Sequence, residues 1–294
     1  MKKTKVNKRQ LPKNEFRISI ISSCNMRCVY CHNEGNKSVK MLSIKDIKKI
    51  MDNAYDLGMT SVRITGGEPL IHPEIFDICK MLSEKYKLKV GINTNCVEFE
   101  KLLYMVSEGW IDRVIVGLDY YDGPVSKQSP IGKSSKEILN NILTLKEANC
   151  DVSISTVYNN DYTNIYNLVN WCQTNLIRLK IIEIIKNEIH ESSDKNYIKM
   201  RDNIIKDFKF DVKIDELEEY NCYKGDKKIV SFFPSLCRLR RCDLCKKIHL
   251  RITSNGYIKQ CIHYSDGDKY ILGNDCRENI INEIESDVNY HNEK

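Results

Sequence analysis

The feature that most narrows the fold is a strict alternation of strand-like and helix-like segments from residue 16 to residue 185. Strand patterns rich in β-branched residues occupy 16–22, 61–65, 87–93, 112–118, 151–157 and 177–185. Between them, helical periodicity runs through 43–57, 73–86, 98–108, 134–148 and 162–175. Ser43 is placed to cap the first helix and Gly58 to stop it. Parallel strands need long, usually helical, crossovers, and several of these strands are nearly continuous apolar runs, as strands covered on both faces are. The pattern predicts an α/β chain built on a six-stranded parallel sheet, with its active site beyond the carboxyl ends of the strands.

The alternation stops near residue 190. Residues 191–229 are polar, with one helical pattern at 194–207, and the composition changes again at 230. Asn255-Gly256 between two alternating runs predicts a hairpin. A short helix and a polar tail are expected over 277–294. The expected organisation is a basic tail (1–14), a core (15–190), a connecting segment (191–229) and a small C-terminal region (230–294). The 294 residues suffice for one large domain and an appendage.

No apolar run approaches the roughly 18 residues that cross a bilayer. The opening MKKTKVNKRQLPK is basic with no apolar stretch behind it, unlike a secretory signal, so a cytoplasmic location is expected. The net charge of +6 suits a solvated tail or attraction to an anionic substrate. Nucleic-acid binding is disfavoured, since no basic segment interleaves aromatics. Thirteen cysteines, an odd number, argue against a disulfide framework in such a compartment. Cys79, Cys96, Cys150 and Cys172 lie in periodic segments and read as small buried hydrophobes.

The clustered cysteines differ. In CNMRCVYC (24–31), Cys24, Cys28 and Cys31 follow the first strand with spacing C-x3-C-x2-C. Thiolates select soft metals; four close a structural site and three leave one coordination position open. Two readings stand on the residues alone: zinc completed by His32 or a remote cysteine, or a four-iron cluster with one iron left for an exogenous ligand. TGGEP (65–69) follows the second strand, so both motifs fall on one rim of the sheet.

Together these motifs resemble the radical S-adenosylmethionine (SAM) superfamily. The resemblance implies a partial (β/α)6 TIM-like barrel, a [4Fe–4S] cluster on Cys24, Cys28 and Cys31, and SAM on its open iron. SAM is then cleaved reductively to a 5′-deoxyadenosyl radical that takes a hydrogen atom from the substrate. An external one-electron reductant of the flavodoxin or ferredoxin type is implied. The resemblance places Gly66 and Gly67 at the methionine part of SAM, Glu68 at its ammonium and the Tyr30 backbone near the adenine, with Pro69 in the same cofactor-binding set. Thr94 and Asn95 of NTNC and Gly117 of VGLDYYD join that cofactor-binding set. His32, Asp119 and His263 are candidates for proton chemistry by position alone.

A second group lies in CRLRRCDLC (237–245) and RITSNGYIKQC (251–261). Cys242-x2-Cys245, with Cys261 across the hairpin, is a metal-site arrangement that zinc or an iron–sulfur cluster could use. This region resembles the auxiliary-cluster parts of GTP 3′,8-cyclases and of SPASM/Twitch peptide-modifying enzymes. That implies a second [4Fe–4S] cluster on Cys242, Cys245 and Cys261, with Cys237 able to close it. Cys222 and Cys276 exceed the cyclase set.

The cyclase resemblance extends through FRISIISSCNMRCVYC, VRITGGEPL, NTNC, VGLDYYD and IIEIIKN. It implies that Arg17, Arg63 and Arg251 meet an anionic, nucleotide-like substrate, with His249 where a cyclase arginine stands. Ser153 replaces a strand lysine, Ile185 replaces a methionine, and the chain ends HNEK where the cyclases carry a Gly-Gly tail. These departures count against GTP itself. The leading expectation is hydrogen abstraction from an anionic small molecule, leading to cyclisation or rearrangement. The alternative is a maturase that cross-links or epimerises a ribosomally made peptide, although residues 1–15 are short for a leader-binding domain. A non-catalytic metal-binding protein is the third reading, and it predicts no SAM cleavage.

Overall fold

The computed structural model describes residues 15–28, 30–33, 39–123, 133–184, 195–242, 250–261, 265 and 267–285. Six strands and five helices alternate: β1 (Glu15–Ile21), α1 (Ile44–Ala54), β2 (Ser61–Gly66), α2 (Ile75–Lys80), β3 (Lys89–Thr94), α3 (Phe99–Ser107), β4 (Arg113–Gly117), α4 (Ser135–Glu147), β5 (Asp151–Val157), α5 (Tyr162–Asn175) and β6 (Arg178–Ile182). Each strand pairs in parallel with the next. This is the expected parallel α/β core, a partial TIM-like barrel.

Alternation along each strand decides which face meets the helices. Phe16, Ile18 and Ile20 of β1, Val62 and Ile64 of β2, and Val114 and Val116 of β4 are buried. They share one core with Ile47, Ile50 and Met51 of α1, Leu102 of α3, Ile142 of α4 and Leu168 of α5. Each such side chain contributes about 1.5–3 kcal/mol. The other face carries polar residues, among them Arg17, Arg63, Arg113, Ser153 and Arg178. Cys79, Cys96 and Cys172 are buried as expected, and Cys150 is half-buried.

Helix boundaries follow local chemistry. Ser43 Oγ accepts the Asp46 N–H (3.2 Å) and Asp46 Oδ2 accepts the Ser43 N–H (2.9 Å), a reciprocal cap. After one tighter turn over Tyr55–Leu57, Gly58 adopts φ 90° and ends the helix. The helix expected over 73–86 starts at Ile75 and widens into a π turn at Met81–Lys85.

The sheet exceeds its six predicted strands. After α6 (Lys195–Phe208), β7 (Asp211–Ile214), β8 (Tyr220–Lys224) and β9 (Lys227–Phe233) form an antiparallel meander, and β9 pairs in parallel with β6. On the other side, β10 (Leu250–Ile252) pairs in parallel with β1, and β11 (Tyr257–Ile258) and β12 (Lys269–Tyr270) follow antiparallel. One twelve-stranded sheet results, ordered β12-β11-β10-β1-β2-β3-β4-β5-β6-β9-β8-β7. The composition boundary at 229/230 falls inside β9, and the sheet continues through it. Gly256 turns the predicted hairpin at φ 80°. The last described helix is α7 (Cys276–Glu285). Among the described residues no helix is long and apolar enough to cross a membrane.

Candidate active site

The cysteine loop leaves the end of β1, and the end of β2 lies against it. Gly67 N–H donates to Ile21 O (2.7 Å) and Glu68 N–H to Ser23 O (2.9 Å). A Cβ on Gly66, whose φ is 154°, would stand 2.2 Å from Ile21 O. One on Gly67 would stand 2.1 Å from Ser23 O. The glycines are therefore demanded by the backbone of the cysteine loop, a partner that spacing alone does not reveal.

Glu68 is 1% exposed. Its Oε1 accepts from Leu70 N–H (3.0 Å) and Thr94 Oγ1 (2.7 Å), and its Oε2 from Asn95 N–H (2.8 Å). Burial nevertheless pushes its carboxyl up to about 7, against those three donors. Thr94 spends its single proton on Glu68 while accepting the Cys96 N–H (2.9 Å). Asn95 Nδ2 donates to Asn25 Oδ1 (2.7 Å), tying the cysteine loop to the end of β3. Asn25 Nδ2 is buried with no partner among the described residues, a donor lacking an acceptor. Pro69 opens a short turn over Pro69–Ile71. At Gly117 a Cβ would meet only Thr94 O at 3.8 Å, so ordinary space remains there.

Cys24 and Cys31 are exposed and Cys28 is half-buried. Cys24 Sγ accepts the Met26 N–H (3.3 Å) and Cys31 Sγ the Asn33 N–H (3.3 Å). Although the residue is exposed, desolvation by the packing around its sulfur pushes the Cys24 thiol up to about 11; the Met26 N–H opposes this, and Glu68, Cys28 and Cys31 add to it. Among the described residues no three His, Cys, Asp or Glu side chains already stand in metal-ligand geometry. The donor set still fits an iron–sulfur cluster. Three thiols share one short loop, two of them with N–H donors at sulfur, and an orphaned donor lies beside them. Tyr30 of this loop donates its hydroxyl to Asp119 Oδ2. His32 is exposed on the same loop.

On the polar face of the sheet, Arg17 is in register with Arg251 on one side and Arg63 on the other. Arg63 pairs with Glu15 (2.7 Å), while its Nε is buried without a hydrogen-bond partner among the described residues. Burial lowers the Arg63 pKa; Glu15 opposes that shift, and Arg17 and Arg113 add to it.

In the second cysteine region, Cys237, Cys242 and Cys261 are half-buried. Cys245, His249, His263 and Ile185 lie outside the described residues, as does the basic tail. Arg238, beside Cys237, makes a two-pronged bond to Glu183 at the end of β6 (2.7 and 2.9 Å). Glu183 is 1% exposed and also accepts the Ser235 N–H (2.7 Å). The sequence reading missed this pair, whose members lie 55 positions apart. Cys222 and Cys276 belong to the hydrophobic core.

A family model described as the Radical SAM superfamily matches residues 18–166, just over half of the chain. Among curated proteins, a GTP 3′,8-cyclase of Clostridium perfringens is 28% identical over 267 residues, covering 86% of this chain and 81% of the relative. A probable GTP 3′,8-cyclase of Methanococcus maripaludis is 27% identical, covering 92% and 93%. Among solved structures, Streptococcus suis SuiB bound to precursor peptide SuiA superposes with TM-score 0.68 at 19% identity over 90% of this chain. The match spans 63% of the SuiB chain. The structure of anSMEcpe with bound AdoMet and a peptide gives TM-score 0.64 at 16% identity, covering 93% and 80%. These likenesses show the fold.

Proposed function

The chain belongs to the radical SAM superfamily and is an enzyme of that family, and on that premise we propose that its substrate is an anionic, nucleotide-like small molecule. A [4Fe–4S] cluster and SAM, when bound, supply the 5′-deoxyadenosyl radical that takes a hydrogen atom. In this reading Cys24, Cys28 and Cys31 hold the cluster. Gly66, Gly67, Glu68, Pro69, Thr94, Asn95, Gly117 and the Tyr30 backbone line the SAM site. A second [4Fe–4S] cluster sits on Cys237, Cys242, Cys245 and Cys261, in a C-terminal region that folds onto the sheet through β10. A flavodoxin- or ferredoxin-type donor supplies the electron.

The observation that carries the substrate reading is the arginine row. Arg251, Arg17 and Arg63 stand on adjacent parallel strands, about 4.8 Å apart, on the polar face of the barrel. Neighbouring guanidiniums repel, and a phosphate that bridges them relieves the repulsion through paired N–H···O bonds. The cyclase relatives support a nucleotide. Ser153, where the cyclase resemblance sets a strand lysine, argues for a phosphate arrangement different from that of GTP.

The test is 5′-deoxyadenosine release by anaerobically reconstituted enzyme with SAM and a strong reductant, with and without GTP and other nucleotides. The expected result is stimulation by at least one nucleotide, with Arg17→Ala and Arg251→Ala each raising the half-saturating concentration about tenfold or more. Release that no nucleotide stimulates, and that a peptide does, replaces this reading with peptide maturation.

A further inference from the structure

The arginine row continues past Arg251 toward the edge of the sheet. Ile252 of β10 pairs antiparallel with Ile258 of β11, and Ile258 in turn with Lys269 of β12. Ile252 and Ile258 are buried in the hydrophobic core, so Arg251 and its cross-strand neighbour Lys259 lie on the opposite, polar face. The Lys259 N–H donates to Arg251 O (2.9 Å), which fixes that pairing. One place on from the Ile258–Lys269 pair, Asp268 stands across from Lys259, and its Oδ2 meets Lys259 Nζ at 3.0 Å. Charged side chains therefore run across neighbouring strands in the order Asp268, Lys259, Arg251, Arg17, Arg63.

Lys259 is 4% exposed, whereas the three arginines are half-buried. A buried ammonium needs an anion beside it, and Asp268 supplies one, with Ser265 Oγ at 3.4 Å. Asp268 Oδ1 is buried with no hydrogen-bond partner among the described residues, so there the carboxylate is bonded to Lys259 alone. We infer that Asp268 is a specificity-determining residue: by neutralising Lys259 it ends the cation row at Arg251 and limits the negative charge the site accepts. It acts without touching the ligand, through the potential over the row, which a ligand carrying more charge feels more strongly. The inference rests on the reading of the arginine row as the anion site.

The test is calorimetric titration of the anaerobically reconstituted enzyme with inorganic tripolyphosphate and with orthophosphate, a readout that needs no SAM cleavage. Asp268 lies two strand spacings, about 10 Å, from Arg251. For Asp268→Asn the expected result is tripolyphosphate binding about fivefold tighter, the effect of a unit charge at that distance in a partly buried site, with a smaller gain for orthophosphate. Lys259→Met leaves Asp268 unopposed and weakens tripolyphosphate binding by about the same factor. The double variant Lys259→Met/Asp268→Asn removes both charges and returns to within about twofold of the parent. Opposite signs in the two single variants are what a merely structural ion pair does not give. Lys259→Met and the double variant decide the matter if Asp268→Asn is recovered unfolded. Losses in both single variants, or no change in either, overturn the inference and leave the arginine row standing. Tripolyphosphate that fails to bind the parent, or binds Arg17→Ala equally well, removes the row as an anion site and this inference with it.

Discussion

The two cysteine regions differ in what fastens them closest to the thiols. The first loop is clamped by main chain: the end of β2 donates two backbone N–H groups into it, and two glycines leave no room for a side chain. The second region joins the sheet through the β10 ladder on β1 and a hairpin turned at Gly256, and a side-chain pair, Glu183–Arg238, fastens its cysteine-bearing segment. Backbone clamps are set by the fold and tolerate little, whereas side-chain clamps can be rebuilt by substitution. The first loop is thereby tied to the main-chain architecture, while the Glu183–Arg238 contact is one that a single substitution can remove.

Cysteine removal gives the sharpest contrast. Cys24→Ala is expected to reduce SAM cleavage to background, measured as 5′-deoxyadenosine. Cys242→Ala is expected to retain SAM cleavage and lose product formation. Full SAM cleavage in Cys24→Ala would remove the first loop from the chemistry.

The two glycines come next. In Gly67→Ala the new Cβ meets backbone carbonyls that cannot move without opening the loop. The cost is about 3 kcal/mol or more, equivalent to about a hundredfold fall in cluster occupancy and SAM cleavage. In Gly256→Ala the obstacle is the Leu272 side chain at 2.6 Å, which can rotate, and φ 80° adds about 1–2 kcal/mol. A lower thermal midpoint with SAM cleavage within about twofold of the parent is expected. Equal losses in the two variants would break the contrast.

Glu183→Gln probes the side-chain clamp. Removing one partner of a buried pair costs about 3–5 kcal/mol. Arg238 keeps 19% of its side chain exposed, so about 2 kcal/mol is expected. Iron bound at the second site and product yield should fall, while substrate-free SAM cleavage holds. A fall in SAM cleavage as large as that of Gly67→Ala would mean that the two regions are not separable.

Much of this was legible in the sequence, for identifiable reasons. The βα alternation shows because each strand buries a regular apolar set, and Ser43 announces its helix through a reciprocal cap. The cysteine loop and TGGEP show because each is contiguous. The β7–β9 meander was not read: β7 is four residues long, and the alternation of Val212 and Ile214 with Asp211 and Lys213 is too short to stand out. The pairs Tyr30–Asp119, Asn25–Asn95 and Glu183–Arg238 lie 89, 70 and 55 positions apart, and only the folded sheet brings them together. The backbone demand for Gly66 and Gly67 was hidden because Ile21 and Ser23 present only their carbonyls.

The smallest expected effect is a pH dependence that belongs to the first region. His72 follows the GGEP turn and is buried. Its Nε2–H donates to Leu42 O (2.9 Å), and its Nδ1 accepts the Glu74 N–H (3.1 Å). A second ring proton would face the Glu74 donor, and burial already lowers the His72 pKa from 6.5. Below 6.5 the unfolded chain binds a proton that the folded chain resists, so this stabilisation is complete above 6.5 and lost as the pH falls. The slope is at most about 1.4 kcal/mol per pH unit for one proton. His72→Phe loses both hydrogen bonds and is less stable at pH 8. The gap between it and the parent should narrow as the pH drops from 7 to 5, read from thermal or urea unfolding. A gap that widens on acidification would show that His72 is charged in the folded protein, and with it that the segment joining Leu42 to the GGEP turn is not the neutral, backbone-satisfied clamp described for the first region.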